Sequence, residues 1–210
     1  MSYREVEELM LERGVLVSYE TVRRWSAKFG QAYANGLCRR WPRPGDTWHL
    51  DEVFVRINGE QKYLWRAVDQ DGNVPDILVQ SRRNTKAAKR FLAKLMKKQQ
   101  RVPRVMVTDK LRSYGTAHQE LMHSVEHRSH NGLNNRAENS HQPTRQRERA
   151  MKGFRSVGGA QQFLAAFSGI SPHFRPRGHL MTAPGYRTEM TVRFAVWDQV
   201  TGAAGQPAAA

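Results

Sequence analysis

The apolar positions of the chain change period several times, and each change marks an element. Val6, Leu9 and Met10 form a short helical stripe, and Val22, Trp25 and Phe29 recur at i, i+3 and i+7 behind Ser18, a good capping residue. This spacing predicts two helices within residues 1–30, the first stopping near Gly14. Arg23, Arg24 and Lys28 fall on the polar side of the second helix. Two short helices, the second basic, fit a helix-turn-helix segment as well as a hairpin with a solvated face. Residues 31–46, QAYANGLCRRWPRPGD, carry two prolines and two glycines and read as a linker.

From Thr47 the pattern is that of strands. TWHLDEVFVRI (47–57) and QKYLWRAVD (61–69) flank Asn58-Gly59, a strong hairpin signal, and VPDILVQ (74–80) follows a second turn at Asp71-Gly72. A helical period then sets in, with Ala87, Phe91 and Leu95 beside Ala88, Leu92 and Met96. RVMVTD (104–109) reads as a short strand ending in a carboxylate, followed by a helix near 111–122 and a strand near 124–127. A helical stretch begins near Asn134, with a kink or restart expected at Pro143. Further helices are expected near 157–168 and 183–199, the last with Tyr186, Met190, Phe194 and Trp197 on one side. The order β-β-β-α-β-α-β-α describes an α/β domain over 47–170: a mixed five-stranded sheet flanked by helices, as in the ribonuclease-H-like fold. A helical extension at 171–200 and a disordered tail at 201–210 complete the expected organisation.

Composition adds a partner. Lys and Arg number 34 against 19 Asp and Glu, a net charge of +15, and such an excess points to a polyanion, above all nucleic acid. A merely solvated basic surface is the plainer alternative. Between Arg82 and Arg104 there are ten Lys or Arg and no acid. Cys38 is the only cysteine, so the chain by itself forms neither a disulfide nor a thiolate zinc site. No apolar run approaches the ~20 residues of a membrane span, and the charged start is unlike a signal peptide. No membrane partner is expected, and the expected location is the cytoplasm.

Three acids stand out by position. Asp51 interrupts an apolar strand, where a carboxylate is costly to bury unless it is paired or holds a metal. Asp109 ends the fourth strand, the place where open α/β sheets put ligands. Glu138 heads a segment containing Arg145, Arg147, Arg149 and Lys152. Carboxylates without cysteine favour a hard cation, magnesium or manganese, and two such ions can clamp a displacement at phosphorus. Alternation along the strand does not choose between Asp51 and Glu52, and turn-forming or helix-capping roles compete for Asp109 and Glu138. Asp69, Asp71 and Asp76 lie around turns and read as structural. His118, His123, His127 and His130 cluster in sequence, but a strand at 124–127 would deny His123 and His127 the helical spacing of a zinc pair.

Four stretches in order, WHLDEVFVRINGEQKYLWRAVDQDG, SRRNTKAAKRFL, VTDKLRSYG and NNRAENSHQPTRQRERAMKGFRS, resemble the transposases of the bacterial insertion-sequence-six family. The similarity runs from about Ser2 to about Val200. It implies a ribonuclease-H-like domain with an Asp-Asp-Glu site, placing Asp51, Asp109 and Glu138 as catalytic and metal-binding residues. It also implies two magnesium ions, with manganese as a substitute, and double-stranded DNA as partner, both as terminal inverted repeats and as target. The reaction implied is cutting at the element's ends and joining of the freed 3′ hydroxyl, by a homodimer or higher assembly at the bacterial nucleoid. Lys110 and Arg136, beside two of the acids, join Arg23, Arg24, Lys28, Arg145, Arg147, Arg149 and Lys152 as candidate DNA-binding residues. The chain looks shortened ahead of SYREVEE, so weak end recognition is expected. Only 28 residues separate Asp109 from Glu138, fewer than in many such transposases. A non-catalytic copy that competes for element ends is the alternative reading.

Overall fold

The computed structural model describes residues 2–151, 153–176 and 180–203. Its elements are α1 (Tyr3–Leu11), α2 (Tyr19–Arg40), β1 (Thr47–Ile57), β2 (Glu60–Asp69), β3 (Asp76–Gln80), α3 (Thr85–Gln99), β4 (Val105–Thr108) and α4 (Arg112–Leu121). β5 (Glu126–Ser129), α5 (Asn135–Ser140), α6 (Gln142–Ala150), α7 (Val157–Ile170) and α8 (Ala183–Thr201) follow. They fall into two compact units, one of residues 43–164 and one combining Tyr3–Pro42 with the chain from Ala165 onward.

The first unit is built on a sheet of order β3-β2-β1-β4-β5. β1, β2 and β3 are antiparallel neighbours, whereas β4 runs parallel to β1 and β5 parallel to β4. This is the ribonuclease-H-like order. The first hairpin closes at Asn58 (φ 51°) and Gly59 (φ 79°), both left-handed, as a two-residue turn matched to strand twist requires. At the end of β2 buried Asp69 accepts from the backbone N–H groups of Asp71 (2.9 Å) and Asn73 (2.8 Å) and so shapes the second turn. The even-numbered side chains Trp48 and Leu50 of β1 pack with Trp65 and Ala67 of β2 against Ala88, Phe91, Leu92 and Leu95 of α3 and Tyr114 of α4. Each large apolar side chain buried there stabilises the fold by about 1.5–3 kcal/mol. Asn84 caps α3 by accepting from the Ala87 N–H.

A few groups on the sheet's open edges are taken up by neighbouring segments. β4 pairs with β1 only from Thr47 to Leu50, so residues 51–57 run beyond their parallel neighbour. Glu148 of α6 accepts the Arg56 N–H at 3.0 Å, and Phe154 forms a parallel bridge with Ile57 while its carbonyl accepts the Asn58 N–H at 2.7 Å. On β3, Gln161 of α7 accepts the Val79 N–H at 2.7 Å. Pro143 restarts the chain in the first turn of α6, as expected of a residue without a donor N–H.

In the second unit Ser18 caps α2, its hydroxyl accepting the Thr21 N–H. α2 continues to Arg40, so residues 31–40, expected as linker, are helical. The reason is packing: Ala34, Gly36 and Leu37 are buried, and a Cβ at Gly36 would meet Val200 Cγ1 of α8 at 2.8 Å. That glycine is there for close helix approach rather than for a turn. Tyr33 and Phe174 ring-pack with Trp197 of α8 at centroid distances of 5.5 and 5.1 Å. α1 buries no residue, and Trp25, on the apolar stripe of α2, is 45% exposed. α8 runs to Thr201 and is capped by Gly202, and residues 204–210 of the expected tail lie outside those described. Among the described residues no helix is long and apolar enough to cross a membrane.

Candidate active site

Register brings two of the acids together. Leu50 of β1 pairs with Thr108 of β4 in parallel, so the next step along both chains sets Asp51 beside Asp109. Asp51, Glu52 and Asp109 each offer a carboxylate oxygen, and these oxygens lie within 4.8 Å of one another. Asp51 and Glu52 are both in this group although they alternate along β1. β1 is covered on both faces here, and both residues are buried.

Asp109 and Glu52 are held by hydrogen bonds. The Leu111 N–H donates to Asp109 Oδ1 at 3.0 Å, and the Ser129 hydroxyl donates to the Asp109 carbonyl. Arg83, on the loop between β3 and α3, donates from Nε to Glu52 Oε1 at 2.5 Å and reaches Asp109 Oδ2 from Nη2 at 3.4 Å. The Glu52 side chain is wholly buried, and its Oε2 makes no aligned hydrogen bond, although the Tyr114 hydroxyl lies near enough to favour its charged form. Burial pushes its pKa up to about 7, and the Tyr114 hydroxyl and Arg83 oppose this. Burial likewise pushes the Tyr114 phenol well up, with Glu52 adding to the shift. His141 Nε2 lies 3.3 Å from Asp51 Oδ2 without hydrogen-bond alignment. Burial lowers the His141 pKa, against the pull of Asp51.

Glu138 is placed differently. Asn134, fully buried, donates from Nδ2 to the Leu50 carbonyl at 2.8 Å and so pins the start of α5 beside Asp51. Glu138 follows one turn later, its N–H bonded to the Asn134 carbonyl, with its side chain exposed. It is not within the 4.8 Å group. Arg66, paired across β2 with Asp51, is buried and donates from Nη1 to Ser140 O and Thr144 Oγ1, each at 2.9 Å. It joins the end of α5 to the start of α6, and burial lowers its pKa to about 10.

Residues 45–177 match the family model of a DDE domain. The chain belongs to the insertion-sequence-six family of DDE transposases. It is similar to the transposase for insertion sequence-like element IS431mec of Staphylococcus aureus, 32% identical over 150 residues, 67% of this chain and 65% of that protein. The transposase for element IS257 in transposon Tn4003, also from Staphylococcus aureus, is 31% identical with the same coverage. The DDE chain thus matches 65% of the length of these relatives. Among solved structures, the catalytic core of HTLV-2 integrase in complex with magnesium gives a TM-score of 0.47 at 14% identity, covering 68% of this chain and 92% of that one. The BIV integrase catalytic core gives 0.45 at 13% identity, covering 72% and 97%.

The basic residues singled out in this DDE chain have varied surroundings. Lys110 and Arg149 are exposed, Arg136 and Arg147 are half-buried, and Lys152 lies outside the described residues. Arg145 stands over the exposed Phe54 ring, 5.7 Å from its centroid. Arg23 and Arg24 both engage Glu20, and Lys28 lies over Phe29. Of the ten basic residues between 82 and 104, five are ion-paired: Arg83 to Glu52 and Asp109, Lys89 to Glu120, Lys94 and Lys98 to Asp76, and Arg101 to Asp46. His118 and His127 have ring centroids 4.9 Å apart, and His127 Nε2 is 2.9 Å from Thr108 Oγ1. Reading the sequence alone missed Arg83, His141, Arg66 and Asn134, because each acts through partners far away in the chain.

Proposed function

We propose that this chain catalyses divalent-metal-dependent DNA strand cleavage and strand transfer for an insertion sequence. The observation that carries this reading is the register that sets Asp51 beside Asp109 within the family-matched domain. The site fits a hard cation: carboxylate oxygens of Asp51 and Asp109 are clustered, with the buried Glu52 carboxylate beside them. Asp51, Asp109 and Glu138 would hold magnesium, with manganese as a substitute and two ions as the full complement. The metal supplies activation of the attacking oxygen and stabilisation of charge at phosphorus.

The chain's own groups do the positioning. Leu111 N–H and the Ser129 hydroxyl fix Asp109, and the Asn134 bond to Leu50 fixes the helix that presents Glu138. Lys110, Arg136, Arg145, Arg147, Arg149 and Lys152 hold the DNA backbone, and Arg23, Arg24 and Lys28 of the N-terminal helix-turn-helix segment contact element ends. The partners are terminal repeats and target DNA, engaged by at least a dimer in the bacterial cytoplasm. The test is strand transfer by purified protein with pre-cut element ends and magnesium. Asp51→Asn, Asp109→Asn and Glu138→Gln should each abolish cleavage and joining while sparing DNA binding. Near-wild-type joining by any one of them removes that residue from the site, and binding without any transfer by the unaltered chain overturns the activity.

A further inference from the structure

Glu52 and Arg83 are not accounted for by a three-acid site. Glu52 is a fourth carboxylate, wholly buried, with one oxygen on Arg83 Nε and the other, beside the Tyr114 hydroxyl, in no aligned hydrogen bond. A buried acid facing two further acids calls for positive charge. In this chain that charge is Arg83, which touches Glu52 and Asp109 at once. A divalent cation bound to Asp109 would therefore sit close to a guanidinium, and like charges at such separations repel strongly in a partly buried site.

Arg83 also has somewhere to go. Its side chain is 43% exposed, and Arg82 and Lys86 beside it are exposed too. It immediately precedes Asn84, the cap of the 15-residue helix α3, whose N-terminal dipole adds to the attraction for a phosphate. Resting on the proposed catalytic site, we infer that Arg83 is a built-in counter-ion that competes with the metal for Asp109 and leaves for a DNA phosphate when DNA binds. Metal and DNA then bind cooperatively: DNA draws Arg83 away and opens the site to the cation, and by linkage the cation tightens the hold on DNA. Arg83 is a positioning residue, and its effect is to confine full metal loading to the DNA-bound chain.

The experiment measures Mn2+ affinity of the full chain by electron paramagnetic resonance, with and without a DNA duplex. In the unaltered chain DNA should tighten Mn2+ binding by about tenfold, within the usual range of coupling between two ligands. Arg83→Gln should bind Mn2+ about tenfold more tightly without DNA and gain little when DNA is added, because the competitor is already gone. Arg83→Lys, which keeps the charge, should behave like the unaltered chain. No effect of DNA on Mn2+ affinity in the unaltered chain overturns the inference without recourse to any variant. So does Arg83→Gln binding no more tightly than the parent, or equal gains from DNA in both. Failure of every form to bind Mn2+ at all, with DNA present, would instead overturn the underlying metal site.

Discussion

Arg66 makes the most exposed prediction about how the site is held together. It is 4% exposed, and its guanidinium joins Ser140 of α5 to Thr144 of α6 through two 2.9 Å bonds. In Arg66→Met the bulk is nearly kept, so little cavity forms, but one buried and one half-buried acceptor lose a charged donor. Hydrogen bonds to a charged group contribute ~1.5–3 kcal/mol each, partly offset because a buried charge no longer has to be desolvated. The net loss should be about 3 kcal/mol. For a chain of this size that lowers the melting temperature by ~6–12 °C. Urea denaturation gives the free energy directly. Thr144→Val removes one acceptor and should cost ~1 kcal/mol, and in the double variant that cost should largely vanish, because the bond is already lost. A loss under ~1 kcal/mol for Arg66→Met, or strict additivity in the double variant, would show that the α5–α6 junction is held by something else.

Three further outcomes can be checked. Burial, with His118 beside it, holds His127 below its usual pKa, so the unfolded chain takes up a proton that the folded chain declines. Stability should be complete above about pH 6.5 and fall as pH drops below it, a slope that His127→Gln should reduce and that an unchanged slope would refute. Asp76 is buried between Lys94 and Lys98, whose side chains are 39% and 53% exposed, so Asp76→Ala should cost ~1–2 kcal/mol in urea midpoint rather than the full penalty of a buried pair. Because half of the basic run is internally paired, DNA affinity should drop by roughly 10²–10³-fold between ~50 and ~200 mM salt, as for about five phosphate contacts, and a flat response in a filter-binding assay would refute this.

Much of the sheet-bearing unit was legible in the sequence because its signals are local. Asn58-Gly59 has the conformational freedom a two-residue turn demands, and β1 was bounded correctly at Thr47 and Ile57. An acid at the end of an apolar strand was enough to single out Asp109. Where several partners converge, local signals fail. Gly36, read with Pro42 and Pro44 as a linker signal, lies inside a helix because Val200, far along the chain, needs the room. The run without acids between Arg82 and Arg104 looked like an open basic face, yet Asp76, Glu120, Glu52 and Asp46 reach it from other elements. Glu52 against Asp51 could not be settled by alternation, since β1 is buried on both faces at that point.

The shortness of β4 has a consequence for how the protein behaves in company. Beyond Leu50, among the described residues, the longest strand of the sheet offers hydrogen-bonding groups with no parallel neighbour strand to take them. Such an edge is a template on which another chain can add itself. Here the guard is slight: one glutamate from α6 and a single bridge at Phe154. Glu148, the acid among the arginines of α6, takes one of those groups and so blunts the seam on which another copy could add a strand.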